Sequence, residues 1–373
     1  MNSLLIFVSV SLVLAILYLI FRIGVLTNVL KGKNNQTVGS ANTINAFMFV
    51  VVFVLGIVGF YYSFVHSSKY FLGEPASEHG VKTDQLFWII MSVLTLAFLV
   101  TNAMLYIFPY VYRYKAERKA LFYPDNHTIE KIWTIIPAIV MTSFVYFGWL
   151  VWSDIMKPAS EKAVVIEVMA KQFAWQVRYP GTDNQLGHYN FKLIDATNEF
   201  GVDFKDEKSF DDFMPTELVL PKGQEVLLEI RARDVIHSVF LPHFRVKMDA
   251  VPGMPTKFRF VPTITTKEMR DLKKNPNFNY ELVCTEICGR GHYAMRFPVV
   301  VLEPAEYEEW KKKQSPWSQL NAEYVAGKTT PELKAKYLKV EEKEVSQMAQ
   351  PSTDSGSNDS DSTSTSLQAL IVK

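Results

Sequence analysis

The sequence predicts a membrane protein of two unlike halves, four transmembrane helices followed by an all-β domain. Three observations lead there. The first 155 residues hold four long apolar runs, residues 4–21, 44–65, 85–112 and 132–153, none with an Asp, Glu, Lys or Arg. From about residue 160 to 305 the pattern changes to short alternating or apolar stretches punctuated by Pro and Gly. Both cysteines of the chain then fall in one stretch, residues 284–295, Cys-Thr-Glu-Ile-Cys-Gly-Arg-Gly-His-Tyr-Ala-Met, which is built to wrap a metal.

Each run is long enough for a bilayer core, which takes about 20 apolar residues. The first opens on Met-Asn-Ser, without the Lys or Arg of a signal peptide, and reads as an uncleaved helix. Loop charges set the orientation. The third loop carries Arg113, Lys115, Arg118, Lys119 and Lys131 and is expected in the cytoplasm. The first loop, with Lys31 and Lys33, follows by parity, and the second has Lys69 and Lys82 against Glu74, Glu78 and Asp84. The amino terminus and everything after residue 153 then lie outside the cytoplasm. Pro137, without an amide proton, is expected to kink the fourth helix.

Strands are predicted at 163–169, 172–179, 225–231, 256–261 and 297–302, which suggests an antiparallel sandwich or barrel. Residues 181–216 are polar and irregular and read as a surface insertion, with Asp211 and Asp212 in a solvated loop. Thr330-Pro331-Glu332 is a helix start, and a charged helix is expected to run to about 348. Residues 350–366 are almost all Ser, Thr, Asp, Asn, Gly, Gln and Pro and are expected to be disordered. The last apolar run, Leu367 to Val372, is too short to span a membrane. The predicted divisions are 1–70, an amino-terminal helix pair; 71–156, a second pair; 157–312, the β domain; and 313–373, the tail.

Composition excludes several functions. A formal charge of +1 over 373 residues gives no support to nucleic-acid binding. Two cysteines cannot make a disulfide framework, and no Cys-x-x-Cys-His haem attachment motif is present.

The chemistry sits at 284–295. Two thiols, an imidazole and a thioether are the ligand types that copper selects. A disulfide would explain Cys284 and Cys288 but not His292 and Met295. A mononuclear blue-copper site needs one Cys, two His and a weak axial Met. Here the second Cys makes two thiolates available to bridge two metals. A second His must come from upstream, with His237 in Asp-Val-Ile-His-Ser as candidate, and the Glu286 carbonyl is a further donor. Tetrahedral zinc is the alternative metal, and would need no methionine.

The motif Cys-x-Glu-x-Cys-Gly-x-x-His-x-x-Met, preceded by His237-Ser238 and by Lys247-x-Asp-Ala-x-Pro-Gly253, resembles subunit II of cytochrome c oxidase. The resemblance runs from about 85 to 310. Glu130-Lys131-Ile132-Trp133-Thr134 resembles the start of that family's second helix, so runs three and four match its usual helix pair and runs one and two are an addition. The resemblance implies a cupredoxin-like Greek-key β domain with a dinuclear, mixed-valence copper centre, CuA. It implies that Cys284 and Cys288 bridge the coppers, that His237 and Met295 complete one, and that His292 and the Glu286 carbonyl complete the other. His243 is the competing upstream histidine.

The same resemblance implies an electron-input subunit of a respiratory haem–copper terminal oxidase in the bacterial inner membrane, with the copper domain on the periplasmic side. Cytochrome c, or a cytochrome domain tethered in the same membrane, would reduce the copper. The electron would pass to haem in subunit I, which also carries CuB, where oxygen reduction is coupled to proton translocation. Further implied features are Mg²⁺ held by the Glu286 carboxylate near Asp249, a proton-path mouth at Glu130, and an electron-input position at Phe173, where many members read Gln-Trp-x-Trp. Trp175 matches the second, more structural Trp. The different-class alternative is a membrane-anchored copper-delivery or storage protein. A copper-free quinol oxidase subunit fits the loop poorly, and a soluble nitrous-oxide reductase fits the four spans poorly.

Overall fold

The computed structural model describes residues 2–31 and 41–338. The expectations for Lys33, the 350–366 stretch and the run from Leu367 lie outside the described residues. Four helices come first: α1 (Asn2–Leu30), α2 (Ala41–Ser67), α3 (Glu78–Val111) and α4 (His127–Ile155). Each covers a predicted run, and all four are long and apolar enough to cross a membrane. Their large apolar side chains point outward, as lipid-facing helices require. Pro137 lies inside α4, which continues past it. The second helix packs along α3 through aromatic pairs, among them Phe53–Tyr106 and Phe60–Phe98, with ring centroids 5.9 and 5.5 Å apart.

The start of α3 is also the joint to the β domain. Ser77 caps the helix by accepting from Gly80 N at 3.1 Å, and its hydroxyl donates to the Phe244 carbonyl at 2.7 Å. A side chain at position 80 would meet Ser77 Oγ at 2.7 Å and Arg245 Cγ at 3.2 Å, so only glycine lets the turn close against the domain. Arg245 then grips Asp84 with two bonds of 2.8 and 2.7 Å. Such a planar two-point pair fixes direction as well as distance.

The β domain is a cupredoxin-like sandwich of nine strands: β1 (Val164–Lys171), β2 (Ala174–Arg178), β3 (Leu218–Pro221), β4 (Val226–Ala232), β5 (His237–Leu241), β6 (Val246–Ala250), β7 (Thr256–Phe260), β8 (Tyr280–Cys284) and β9 (Arg296–Leu302). One sheet has the order β2-β1-β4-β7 and the other β3-β9-β8-β5-β6. The five predicted strands are all present. The expectation of a wholly antiparallel sandwich needs correction, because β1–β4 and β3–β9 pair in parallel. Both pairs join strands far apart in sequence, so the chain crosses between the sheets instead of returning by a hairpin. Ile166, Val168, Leu228, Ile230, Val239, Leu282 and Val299 fill the space between the sheets. The helix α5 (Thr266–Lys273) links β7 to β8 behind a capping box of Thr265 and Glu268.

The 181–216 insertion is not a solvated loop throughout. Phe200, Val202, Phe204 and Phe210 form a second core with Val325 and Leu338 of the tail. The described part of the tail is α6 (Pro304–Lys312), α7 (Trp317–Leu320), α8 (Ala322–Ala326) and α9 (Pro331–Tyr337). Thr330 and Pro331 start α9 as expected, and the helix runs to Tyr337; the rest of the expected helix, from 339 to about 348, lies outside the described residues. Asp212 is also corrected: it is buried and takes a 2.6 Å bond from Arg178, which holds Glu167 at 2.6 Å as well. A buried guanidinium is tolerable only with such partners.

Candidate metal centre

The metal loop is the connection from β8 to β9. Cys284 ends β8, Met295 precedes β9, and Cys284 N donates to the Met295 carbonyl at 3.3 Å to close the loop. The upstream histidine arrives from the neighbouring strand. β5 begins at His237 and pairs with β8 so that Val239 lies opposite Cys284. Sheet register therefore brings residues 47 apart into one site.

Ligand atoms of His237, Cys284 and Cys288 lie within 4.8 Å of one another, and all three residues are buried. The two Sγ atoms are 4.0 Å apart and not bonded as a disulfide. His237 Nδ1 is 3.8 Å from Cys284 Sγ, and the Glu286 carbonyl is 3.2 Å from the same sulfur. Around Cys288 Sγ stand His292 Nδ1 at 3.6 Å and Met295 Sδ at 3.9 Å. Six donors thus converge, one histidine beside each sulfur. This is more than one tetrahedral metal takes, and the thioether adds a soft ligand that zinc does not need. Two sulfurs that each bridge, with four further donors, fill two four-coordinate positions, so the donor set fits a copper pair. Burial beside a second thiol pushes the Cys288 pKa up to about 11, so binding a metal here must release protons.

Neighbouring side chains hold the ligands. His237 is wholly enclosed, and its Nε2 donates to Asp234 Oδ1 at 2.9 Å, leaving Nδ1 toward the sulfurs. Burial works against the Asp234 carboxylate, but the Gln172 amide and the His237 ring hold its pKa below the usual carboxylate range. Gln172 N donates to Asp234 Oδ2 at 2.7 Å, and the Gln172 side-chain amide donates to the Cys288 carbonyl. Trp175 is buried, 6.1 Å from the His237 ring, and its Nε1 donates to the Met295 carbonyl at 3.4 Å. Phe173 lies across the metal loop: a Cβ on Gly291 would come within 2.5 Å of its ring, and one on Gly289 within 3.0 Å. Asp234 and Gln172 are functional neighbours that sequence reasoning missed. Asp234 stands three residues before His237, a spacing that could have marked it; nothing in the sequence marks Gln172.

Other expected residues lie elsewhere. His243 takes no part in the cluster. It packs between Phe278 and Tyr280 and accepts from Lys273 Nζ at 2.7 Å. Glu130 sits in the first turn of α4, paired with His127 Nδ1 at 3.2 Å. Glu286 and Asp249 are exposed, on segments flanking Ser238: Asp249 is its partner in register and Thr285 N donates to its carbonyl at 3.2 Å. Ser238 Oγ is buried without a hydrogen-bond partner among the described residues.

The family model for the transmembrane domain of cytochrome c oxidase subunit II matches residues 65–148, and that for its periplasmic domain matches 164–303. The alternative cytochrome c oxidase subunit 2 of Bradyrhizobium diazoefficiens is 30% identical over 239 residues, 63% of this chain and 79% of that protein. Cytochrome c oxidase subunit 2 of Thermostichus vulcanus is 30% identical over 270 residues, 65% of this chain and 78% of that protein. A solved structure, the periplasmic domain of subunit II of cytochrome oxidase from Bradyrhizobium japonicum, aligns over 42% of this chain and 95% of its own, at 22% identity and a TM-score of 0.29. The first helix and nearly all of the second precede the matched region. With the transmembrane and periplasmic domains of one family matched in order along one chain, the protein belongs to the cytochrome c oxidase subunit II family.

Proposed function

We propose that this chain is the electron-input subunit of a haem–copper terminal oxidase, with a dinuclear CuA centre held by His237, Cys284, Glu286 (through its carbonyl), Cys288, His292 and Met295. The observation that carries this is the convergence of two free buried thiols, two imidazoles, a thioether and a carbonyl on one loop and its neighbouring strand. A bound copper pair supplies a site that takes up and releases one electron while sharing the charge between two metals. The protein's part is rigidity. Asp234 and Gln172 fix the His237 ring and the Cys288 backbone, and Trp175 fixes Met295, so the ligands need little rearrangement when the charge changes. A haem in subunit I would receive the electron, beside CuB, where oxygen would be reduced.

The donor is a cytochrome c, soluble or tethered in the same membrane assembly, and Phe173, whose ring lies against Gly289 and Gly291 of the metal loop, is its proposed contact. Tethering suits a position without an indole, because a high effective concentration replaces steering. The copper domain faces the periplasm of a bacterial inner membrane. Glu286, Asp249 and the unpartnered Ser238 hydroxyl are the proposed oxygen ligands for Mg²⁺ at the contact with subunit I. Glu130 is the proposed mouth of a proton path. The visible and near-infrared spectrum of the purified complex tests the reading. A delocalised mixed-valence absorption that bleaches as reduced cytochrome c is added supports it. Colourless copper(I) that passes to an apo-acceptor would instead support copper delivery or storage.

A further inference from the structure

The parallel pair β1–β4 ends in rungs that lead toward the metal. The last residues in register are Ala170 and Ala232, and Arg233 N still donates to the Ala170 carbonyl at 2.9 Å. Lys171 and Arg233 follow, one at each strand end. Gln172 and Asp234 come next, joined by the 2.7 Å bond from Gln172 N to Asp234 Oδ2. That rung holds both the His237 ring and the Cys288 carbonyl. The rung before it sets two cations together, and like charges on neighbouring strands push apart. One carboxylate answers both. Glu199, from the 181–216 insertion, accepts through Oε2 from Lys171 Nζ at 2.5 Å and from Arg233 Nη1 at 2.7 Å.

The insertion fixes where that carboxylate stands. Glu199 lies between Asn198 and Phe200, both buried. The Asn198 side chain donates to the Val202 carbonyl at 2.8 Å and accepts from Val202 N at 2.9 Å, which closes the turn. Gly201 sits in that turn at a φ of +67°, and a Cβ there would come within 2.5 Å of the Asn190 carbonyl oxygen. Phe200 belongs to the second core, and its carbonyl accepts from Arg231 Nη2 at 3.1 Å. Burial works against the Glu199 charge, but Lys171 and Arg233 hold its pKa below the usual carboxylate range, so it stays ionised near neutral pH.

We propose that Glu199 is a positioning residue for the copper centre: it clamps the ends of β1 and β4 together, so that Gln172 and Asp234 keep their hold on the ligands. The proposal rests on the copper reading above and assigns the insertion a task in that site. Glu199 touches no ligand and acts through Lys171 and Arg233. Without its charge the two cations separate and the Gln172–Asp234 bond lengthens. The His237 ring and the Cys288 carbonyl then lose their fixed partners together, and copper leaves sooner.

Glu199→Gln keeps the size and one acceptor but removes the charge. The test measures, on the whole detergent-purified oxidase, copper loss to a chelator, the copper hyperfine pattern, and hydrogen exchange read by mass spectrometry. Copper loss is expected to be about three- to tenfold faster, less than for a residue bonded directly to a metal-bound histidine. The hyperfine pattern broadens as the ligands loosen. Exchange at residues 171–174 becomes roughly threefold faster or more, while exchange at 202–210 stays as in the wild type. Adding Arg233→Gln to Glu199→Gln removes one of the repelling cations and restores copper retention to within about twofold of the wild type, a non-additive result. Copper loss or 171–174 exchange at the wild-type rate in Glu199→Gln overturns the proposal. So does faster exchange at 202–210, because Glu199 then serves the packing of the insertion, and so does a double variant whose losses simply add. Absence of any mixed-valence copper spectrum in the wild type is a different result: it overturns the copper reading itself, and exchange at 171–174 then decides the clamp alone.

Discussion

Asp234→Ala removes the acceptor on which the His237 ring rests. In the wild type Nε2 donates to Oδ1 at 2.9 Å, and the Gln172 amide donates to Oδ2 at 2.7 Å. His237 has no exposed surface, so water cannot take over the first bond. A buried donor left without a partner costs about 1–3 kcal/mol. At about 1.4 kcal/mol per factor of ten, the histidine alone accounts for roughly ten- to hundredfold weaker copper binding, the range found for lost partners behind metal-bound histidines. Asp234→Asn retains a carbonyl that can accept from Nε2, so its loss should be smaller. The assay is copper retention against a graded series of chelators, with a thermal melt of the same samples. An Asp234→Ala protein that holds copper within twofold of wild type would refute the reasoning, because the ring would then be fixed by packing alone.

Cys284→Ser or Cys288→Ser should abolish the two-copper, mixed-valence absorption, since a hydroxyl cannot replace a bridging thiolate; Met295→Leu should mainly shift the reduction potential. Glu286→Ala should lower bound Mg²⁺, or Mn²⁺ read by its paramagnetic resonance, while copper content stays unchanged, because the main chain supplies the copper donor. Glu130→Gln should slow oxygen turnover without altering reduction of the copper centre by the donor; unaltered turnover across the pH range leaves Glu130 as a helix-end charge beside His127. Burial and the neighbouring Lys273 and Arg245 hold the His243 pKa down to about 4, against an ordinary value of 6.5. The folded state therefore binds fewer protons at this site than the unfolded chain. Stability from it is intact above about pH 6.5 and is lost as pH falls toward 4. His243→Phe should flatten that part of a pH–melting curve.

What the sequence disclosed follows the range of the interactions involved. The four spans were legible because each is a local property, an unbroken apolar run with charges only at its ends. The metal loop was legible because four of its donors fall at short intervals on one segment, and His237 because it stands in a recognisable local setting. The parallel pairs β1–β4 and β3–β9 were not, since they join distant strands and leave no periodicity of their own. Asp212 looked solvated because its neighbours are polar. Its partner Arg178 sits on β2, 34 positions away, and only the fold brings the two together. The same applies to Gln172, which bonds a carbonyl 116 residues further on, and to the insertion, whose Phe200, Val202, Phe204 and Phe210 find their counterparts in the tail.

The central claim is a pair of coppers bridged by Cys284 and Cys288. Metal analysis of the purified complex, together with electron paramagnetic resonance of the same sample, tests it most directly. The account predicts two coppers in this chain beyond the copper of the catalytic subunit, and a hyperfine pattern of one unpaired electron shared equally by two copper nuclei, lost in both cysteine variants. A single zinc at the loop, or one copper with the hyperfine pattern of a single nucleus, would contradict it.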